Sequence, residues 1–183
     1  MNMKRSKVLI FSFIAAATAL FQSAPAHALI GLGVAGGGGY TVYGASLTEQ
    51  NISLEVKGGM AYSLGVSAEL GPLEGDILYT RRTIKTVSEI SGTSTSESST
   101  YNSMDIPVFF TLGIYPIAVG VGGFVSRSMD QEVEDNYGLA AKVKVKVPLA
   151  GVFGDLRYMQ GLKKDEAGKR TSTVMLLVGF NIL

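Results

Sequence analysis

The chain has 183 residues, 16 of them lysine or arginine and 15 aspartate or glutamate, with one histidine and no cysteine. Such a near-balance of charge argues against a nucleic-acid partner, which needs a basic face. Without cysteine there is no disulfide to hold the fold, so it needs a core or barrel large enough to be stable alone.

The N-terminal segment has the pattern of a secretory signal peptide. Lys4, Arg5 and Lys7 precede an apolar run over residues 8–20, and Ala26-His27-Ala28 forms a small-x-small cleavage site. We expect residues 1–28 to be a signal peptide and residues 29–183 one domain. An uncleaved anchor is the alternative, although the run is shorter than the ~20 residues of a membrane span. Cleavage removes three of the 16 basic residues and leaves 13 against 15 acidic ones.

Glycines dominate the segment that follows. Gly31, Gly33 and Gly36 match the spacing G-x-G-x-x-G, but a dinucleotide-binding fingerprint needs a strand before it and a helix after it. Here a cleavage site precedes the glycines, and further glycine and Tyr40-Thr41-Val42-Tyr43 follow them. We interpret the segment as a first strand that curves tightly or packs beside interior side chains.

Alternation of apolar and polar residues predicts further strands along the chain, because a period of two sends successive side chains to opposite faces. With the glycine-rich segment, eight strands are predicted, at residues 29–39, 56–70, 73–85, 101–114, 117–128, 137–147, 152–162 and 172–183. Between them we expect polar loops over residues 45–53 and 86–100, an acidic loop over 129–136 and a polar loop over 163–170. The Ser/Thr-rich segment 86–100 is interpreted as a solvated tip, with an exposed binding loop as the alternative.

The sixth predicted strand shows the alternation most clearly. Lys142, Lys144 and Lys146 occupy one face, while three valines, Val143, Val145 and Val147, occupy the other. A soluble sandwich would enclose the valines and leave the lysines in water. A membrane barrel would turn the valines to lipid and the lysines to its lumen.

The connections between strands favour the barrel. Short turns at Gly71-Pro72, Tyr115-Pro116 and Ala150-Gly151 alternate with the longer polar loops. Bacterial outer-membrane barrels show this asymmetry, with short turns on the periplasmic side and long loops outside. The prediction is an all-β fold, an eight-stranded antiparallel up-and-down transmembrane β-barrel. The final residues, Gly179 to Leu183, loosely match the strand with a near-terminal aromatic that commonly ends such chains.

Several motifs also resemble a known family. They are Asp76-Ile77-Leu78-Tyr79, Asp105-Ile106-Pro107, the glycine-aromatic segment Gly120 to Phe124, and Asp155-Leu156-Arg157-Tyr158 continuing to Gly161-Leu162. In these the chain is similar to the small outer-membrane β-barrel proteins of PorT type and of the OmpA/OmpX-like superfamily. The resemblance implies a barrel in the outer membrane. It implies no particular activity, because the family is functionally mixed.

The residue types exclude the common chemistry of small outer-membrane enzymes. His27 lies in the expected signal peptide, and no other histidine and no cysteine occur. Hydrolases that use histidine as a general base or cysteine as a nucleophile therefore lack their central group. We expect no enzymatic activity, no cofactor and no metal, since the only charged ligands available are carboxylates that lysines and arginines can pair.

The polar faces of the predicted strands carry a balanced set of charges. We predict that they form hydrogen-bonded ion pairs that close the lumen, because an unpaired buried charge is costly; a narrow ion path is the alternative. Arg157 is the predicted centre, holding Asp76 and Asp105 across the lumen. The predicted network comprises Lys57, Glu69, Glu74, Asp76, Arg82, Asp105, Lys142, Lys144, Lys146, Asp155 and Arg157.

Three functions remain open on the sequence. The first is a monomeric, non-enzymatic outer-membrane barrel with a structural or surface-interaction role, whose partners are outer-membrane lipid and the barrel-assembly machinery. The second is a small-solute porin or narrow channel, although wide channels need about twice as many strands. The third is a soluble periplasmic carrier of lipocalin type with the valines inside.

Overall fold

The computed structural model describes residues 30–43, 45–49, 52–90, 93–130, 134–147, 150–164 and 170–182. The predicted signal peptide, residues 1–28, lies outside the described residues. Within the described part, no helix is long and apolar enough to cross a membrane. The strands are β1 (Ile30–Val42), β2 (Ala45–Glu49), β3 (Ile52–Lys57), β4 (Gly59–Leu70), β5 (Leu73–Ile90), β6 (Thr93–Ile114), β7 (Ile117–Ser128), β8 (Asn136–Lys146), β9 (Val152–Lys164) and β10 (Arg170–Asn181).

Eight of these strands close into a ring. Each of β4 to β10 pairs antiparallel with its neighbour in sequence, and β1 closes the ring by pairing with both β4 and β10. The predicted all-β, eight-stranded antiparallel up-and-down barrel is confirmed. The remaining strands, β2 and β3, form a hairpin that lies outside the ring beside the far end of β5.

The short turns lie at one end of the barrel. Gly71 and Gly151 adopt positive φ values of 58° and 65°, which the lack of a Cβ permits, and Tyr115-Pro116 makes the third turn. The same end holds the start of β1 and the end of β10, where the amide of Ile182 donates to the carbonyl of Leu32 at 2.7 Å. We call this end the short-turn end. The opposite end, toward which β5 and β6 extend, is called the long-hairpin end.

The two faces of the wall have opposite chemistry. In β8, Lys144 is 1% exposed and points inward, while its neighbour Val145 is 44% exposed and points outward. The same alternation runs through β9 and β10, where outward positions carry Leu156, Val174 and Leu176. The soluble-carrier interpretation, which requires the valines inside, is therefore wrong, because the barrel encloses the charged face.

Aromatic side chains flank this apolar outer surface. Outward tyrosines on five strands fall in one belt by the register of the sheet: Tyr40, Tyr62, Tyr79, Tyr137 and Tyr158. The Tyr40 hydroxyl donates to the carbonyl of Gly58 at 2.9 Å, and that of Tyr79 to Asn102 Oδ1 at 2.7 Å, both toward the long-hairpin end. Tyr115 and Phe180 stand at the short-turn end. A row of aromatic side chains at the border of an apolar band is typical of membrane barrels.

The glycine-rich first strand meets β10 at very close range. Gly37 pairs with Leu177, and a Cβ at Gly37 would collide with the backbone of Leu176. A Cβ at Gly39 would likewise collide with Val174 and the side chain of Met175. The glycines of β1 therefore let two strands approach while leaving interior space for the large side chains of β10.

Two predicted loops are wrong. Residues 45–49 and 52–53 belong to the β2–β3 hairpin, and residues 86–90 and 93–100 extend β5 and β6 in a continuous register from Thr83–Thr100 to Ile90–Thr93. Since β3 also pairs with β5 from Ile52–Ile90 to Lys57–Lys85, the order β2-β3-β5-β6 makes a four-stranded projecting sheet beyond the tyrosine belt. Serine and threonine can form this ladder because backbone hydrogen bonds need no apolar side chain, and threonine is β-branched.

Candidate functional site

The lumen near the short-turn end is filled by ion pairs. Lys144 Nζ lies 2.5 Å from Glu69 Oε1 and 2.9 Å from Glu74 Oε1. Lys146 Nζ lies 2.7 Å from Glu69 Oε2, and this pair forms the rim of the lumen at the short-turn end. The lysines come from β8 and the glutamates from the hairpin of β4 and β5, on the opposite side of the ring. These contacts therefore tie two distant parts of the wall together through the interior.

Arg157 on β9 forms the next layer. Its Nη2 lies 2.6 Å from Asp155 Oδ2 on the same strand face, and its Nη1 lies 2.9 Å from Asp76 Oδ2 on β5. Lys142 Nζ lies 2.6 Å from Glu74 Oε1 and 3.7 Å from Asp155 Oδ2. Arg157 thus holds two carboxylates at once, as a planar guanidinium with several donors can.

These residues form an electrically balanced group, the lower cluster. It contains four carboxylates and four cations: Glu69, Glu74, Asp76 and Asp155 with Lys142, Lys144, Lys146 and Arg157. Only the rim pair is partly open to solvent, with Lys146 and Glu69 side chains 32% and 23% exposed. Burying charges costs free energy unless each one is paired. Each charge here has an opposite charge within 4 Å, but the buried Lys142 Nζ makes no well-aligned hydrogen bond despite lying 2.6 Å from Glu74 Oε1.

Aromatic and aliphatic side chains occupy the space beside the lower cluster. The Phe109 ring lies under Lys142 Nζ, 4.4 Å from ring centroid to nitrogen, and the Phe153 ring lies 4.0 Å from Lys144 Nζ. Each ring attracts the cation through its negative face. Further apolar side chains pack across the lumen beside and above these charges: Leu78, Phe124, Met159, Met175 and Leu177. This apolar layer begins at the level of the lower cluster, where Met175 pairs with Arg157 and Leu177 with Asp155, and continues toward the long-hairpin end.

Toward the long-hairpin end lies a second ion pair, the upper pair. Arg82 Nη2 lies 2.6 Å from Asp105 Oδ2, and Arg82 Nη1 donates to Asp105 Oδ1 at 3.3 Å. The hydroxyls of Ser103 and Ser126 also donate to Asp105 Oδ1, at 3.2 and 2.6 Å. The prediction that Asp105 would pair with Arg157 is therefore wrong. Asp105 pairs in register with Leu78 of the apolar layer and has a nearer partner, Arg82, on the adjacent strand β5.

A small cavity of about 80 Å³ opens above the upper pair. Hydroxyl and amide groups line much of it, including Ser128, Asn136 and Thr171, with Arg82 at its floor. The hydroxyls of Tyr43 and Tyr101 contact one another across it. The cavity can hold a few water molecules, and the buried Arg82, Phe124 and Met159 are among its lining residues.

The predicted network divides into these two groups with one exception. Lys57 lies at the end of β3 beside Gly58 and is exposed, outside both groups. The strand alternation that assigned Lys57 to the interior is interrupted at Gly58, where the pairing partner shifts by one residue between β3 and β4.

Sequence reasoning missed several residues that complete the interior. Ser103 and Ser126 bind Asp105, and Phe109 and Phe153 stack on the lysines. Their inward positions follow from the alternation, but serine and phenylalanine are uncharged, so the sequence does not predict that they contact the ion pairs. Within the described residues, no group of three or more histidine, cysteine or carboxylate side chains could hold a metal ion.

Two solved structures resemble the chain in overall path. The crystal structure of the outer membrane protein OprG from Pseudomonas aeruginosa matches with a TM-score of 0.49 and 9% identity, covering 83% of this chain and 96% of that chain. The translocator domain of autotransporter NalP from Neisseria meningitidis matches with a TM-score of 0.34 and 10% identity, covering 96% of this chain and 95% of that chain. No protein-family model matches, and no curated protein matches significantly. The resemblance to PorT-type and OmpA/OmpX-like barrels stays a prediction.

Proposed function

We propose that the chain is a monomeric, non-enzymatic barrel of the bacterial outer membrane whose lumen is closed and whose role is structural or lies in surface interaction. The observation that carries this proposal is the filled lumen. Asp105, Asp155 and Phe109 are 0% exposed, and ion pairs continue to the rim at the short-turn end. An eight-stranded ring is just wide enough for its own side chains to fill.

The outer surface supports a membrane location. Apolar side chains cover the wall between the tyrosine belt and the short turns, and the enclosed face is charged. Only a closed sheet or a helix can satisfy its own backbone in lipid. An eight-stranded outer-membrane barrel would take lipid as its surroundings and the barrel-assembly machinery as its partner during biogenesis. The absence of any histidine after His27 and of any cysteine supports a non-enzymatic role.

The projecting sheet supports a role at the cell surface. It continues β5 and β6 past the tyrosine belt and adds the β2–β3 hairpin at its side. Residues 93–100 are exposed throughout. A rigid barrel below and an exposed sheet above is an arrangement suited to presenting a surface outside the membrane.

The closed lumen predicts an electrical result. Purified protein reconstituted in planar bilayers should show little or no steady conductance, because ion pairs and the apolar layer leave no continuous water path. Folding of the reconstituted protein is checked by the difference in electrophoretic mobility between unheated and heated samples.

A narrow ion path is the second candidate, since charged side chains are spread along the lumen from Glu69 to Arg82. Regular open-channel steps from correctly folded protein would contradict the closed lumen and favour this candidate. Steps abolished by Lys144→Met but kept in the surface variant Lys164→Met would assign the current to the lumen.

The surface role predicts the orientation of the barrel. Because the chain lacks cysteine, Ser94→Cys on the projecting sheet and Ala150→Cys in a short turn each introduce a single thiol. A membrane-impermeant maleimide added to intact cells should label Ser94→Cys, and should label Ala150→Cys only after the outer membrane is opened. The reverse pattern would place the projecting sheet in the periplasm and contradict the proposed role.

A further inference from the structure

The outer edge of β6 has no strand beside it over the projecting sheet. On one side, residues 93–101 pair with β5 from Thr93–Ile90 to Tyr101–Arg82. On the other side, β7 begins to pair only at Ser103–Ser128. Among the described residues, no strand covers this edge between Thr93 and Tyr101.

The direction of the free backbone groups follows from Asn102. Its amide donates to Asp130 Oδ2 at 2.7 Å, and its carbonyl accepts from the Met129 amide at 3.0 Å, both on the β7 side. In an antiparallel strand successive residues direct their backbone groups to opposite sides. The amides and carbonyls that point to the open edge therefore belong to Ser94, Ser96, Ser98 and Thr100.

This edge carries few of the features that usually protect one. Natural sheets block exposed edges with proline, with charged side chains, above all lysine, or with a β-bulge. Residues 93–100, with the sequence TSTSESST, contain one charge, Glu97, and no proline or lysine, and their register against β5 is continuous. An extended, regular and weakly protected edge is a template for pairing with another chain.

Charge at the edge indicates what kind of chain would fit. Glu97 is the one charged residue in 93–101, and Asp130 stands at the foot of the edge, where its carboxylate holds the Asn102 amide. Arg127 lies on β7, opposite Met104, and is therefore below the open part of the edge, toward the barrel. A cross-strand partner of opposite charge is favoured beside Glu97. Two cations, Lys85 opposite Ser98 and Arg81 opposite Asn102, lie on β5, one strand away from the open edge. On the edge strand itself the charge is acidic, so the edge is complementary to a strand with basic residues opposite Glu97 and near the foot.

A second copy of this chain fits the edge poorly. Barrels that share one membrane have the same orientation, so their β6 strands run in the same direction and cannot form an antiparallel pair. Two such strands would also bring like charges together at Glu97. The edge therefore suits a segment of a different protein.

From these observations we propose that the β6 edge binds an extended, basic polypeptide segment by β-strand addition, with the segment antiparallel to β6. This inference rests on the proposed surface role and names the partner class of that surface. Affinity comes from the backbone groups of Ser94, Ser96, Ser98 and Thr100, and the preference for basic segments comes from Glu97 and Asp130.

The test uses a labelled synthetic peptide, Lys-Thr-Val-Lys-Thr-Val-Thr-Val, and the full-length barrel folded in detergent, with binding followed by fluorescence anisotropy. Ser96→Pro and Ser98→Pro each remove an amide that points to the open edge and spare the β5–β6 ladder, since proline is tolerated at sheet edges. Each should weaken binding about tenfold or more, because a hydrogen bond is lost and the ring blocks close approach. The matched variants Ser96→Ala and Ser98→Ala keep the amide and should bind within about twofold of the original protein.

Charge is tested with the same peptide carrying glutamate in place of both lysines, which should bind at least about tenfold more weakly. Glu97→Gln should reduce the difference in affinity between the lysine peptide and the glutamate peptide. Unchanged heat stability of the proline variants would show that the barrel below them is intact.

Equal binding to the proline and alanine variants, or no binding to the original protein, would overturn strand addition at this edge. Concentration-dependent dimers that Ser98→Pro abolishes would instead assign the edge to a second copy, against the proposal. These outcomes are distinct from failure of the proposed function, which the conductance and labelling experiments decide without any peptide.

Discussion

Arg157→Met should lower the free energy of unfolding of the barrel by about 3–5 kcal/mol, the cost of breaking a buried pair and leaving its partner charged. Arg157 is 2% exposed and holds Asp155 and Asp76 at 2.6 and 2.9 Å. Methionine fills a similar space but has no positive charge, so the buried carboxylates of Asp76 and Asp155 lose the ion pairs that offset their desolvation. Unfolding in urea, followed in detergent or lipid vesicles, measures the change.

Matched variants identify the partners of Arg157. Lys164→Met removes a positive charge at an exposed position near the end of β9 and should leave stability nearly unchanged. In double-mutant cycles, Arg157 should couple to Asp76 and Asp155 and not to Asp105, which binds Arg82. Coupling near zero to both Asp76 and Asp155 would mean that water screens the lower cluster, and the closed-lumen proposal would lose its main support.

Leu156→Arg should destabilise folding into bilayers by about 2–4 kcal/mol, as arginine does on the lipid face of a barrel near the midplane. Leu156 points outward from β9 and pairs with Val143 and Leu176, between the tyrosine belt and the short turns. The residues on both sides of it, Asp155 and Arg157, point inward, so the same strand carries charge on one face alone. Equilibrium folding into lipid vesicles gives the change in free energy.

The control for Leu156→Arg adds the same charge to the projecting sheet. Thr95 lies in an exposed part of β6, so Thr95→Arg should change the free energy of folding little. Val145→Arg, outward in β8 but close to the short turns, should cost less than Leu156→Arg, because the penalty falls toward the membrane interface. If Thr95→Arg and Leu156→Arg were equally harmful, the outer face of β9 would not be in contact with lipid.

The ion pairs in the lumen support the base of the projecting sheet. Ion pairs between β8 and the β4–β5 hairpin join opposite walls of the ring, so deforming the barrel would separate buried charges. Because the wall is braced in this way, the long β5–β6 hairpin rises from a fixed base. A strand edge on such a base is pre-organised, which reduces the entropy lost when a partner binds.

The sequence alone determined the wall of this barrel. Alternation in segments such as Tyr137–Leu162 fixes which side chains share a face, because the strand period is two. Glycine and proline at Gly71-Pro72 and Tyr115-Pro116 fix the short turns, and the asymmetry of connections predicts closure. The inward lysines and carboxylates were therefore predictable as a set, together with the apolar outer surface.

The extent of β5 and β6 was not predictable in this way. Apolar alternation arises only where one face of a strand is buried, and residues 86–100 project beyond the barrel wall. Their serines and threonines show no period, so the sequence resembles a loop. The strands persist because the backbone amides and carbonyls of β5 and β6 form hydrogen bonds with one another. This pairing leaves no pattern in side-chain polarity.

Only the tertiary structure decided which charges meet. Asp105 and Asp76 both point inward, yet Asp105 binds Arg82 while Asp76 binds Arg157. The strand period gives the face of a residue but not its height in the barrel, which depends on the stagger of all eight strands around the ring. The distance between buried charges then decides their pairing because Coulomb attraction falls with separation.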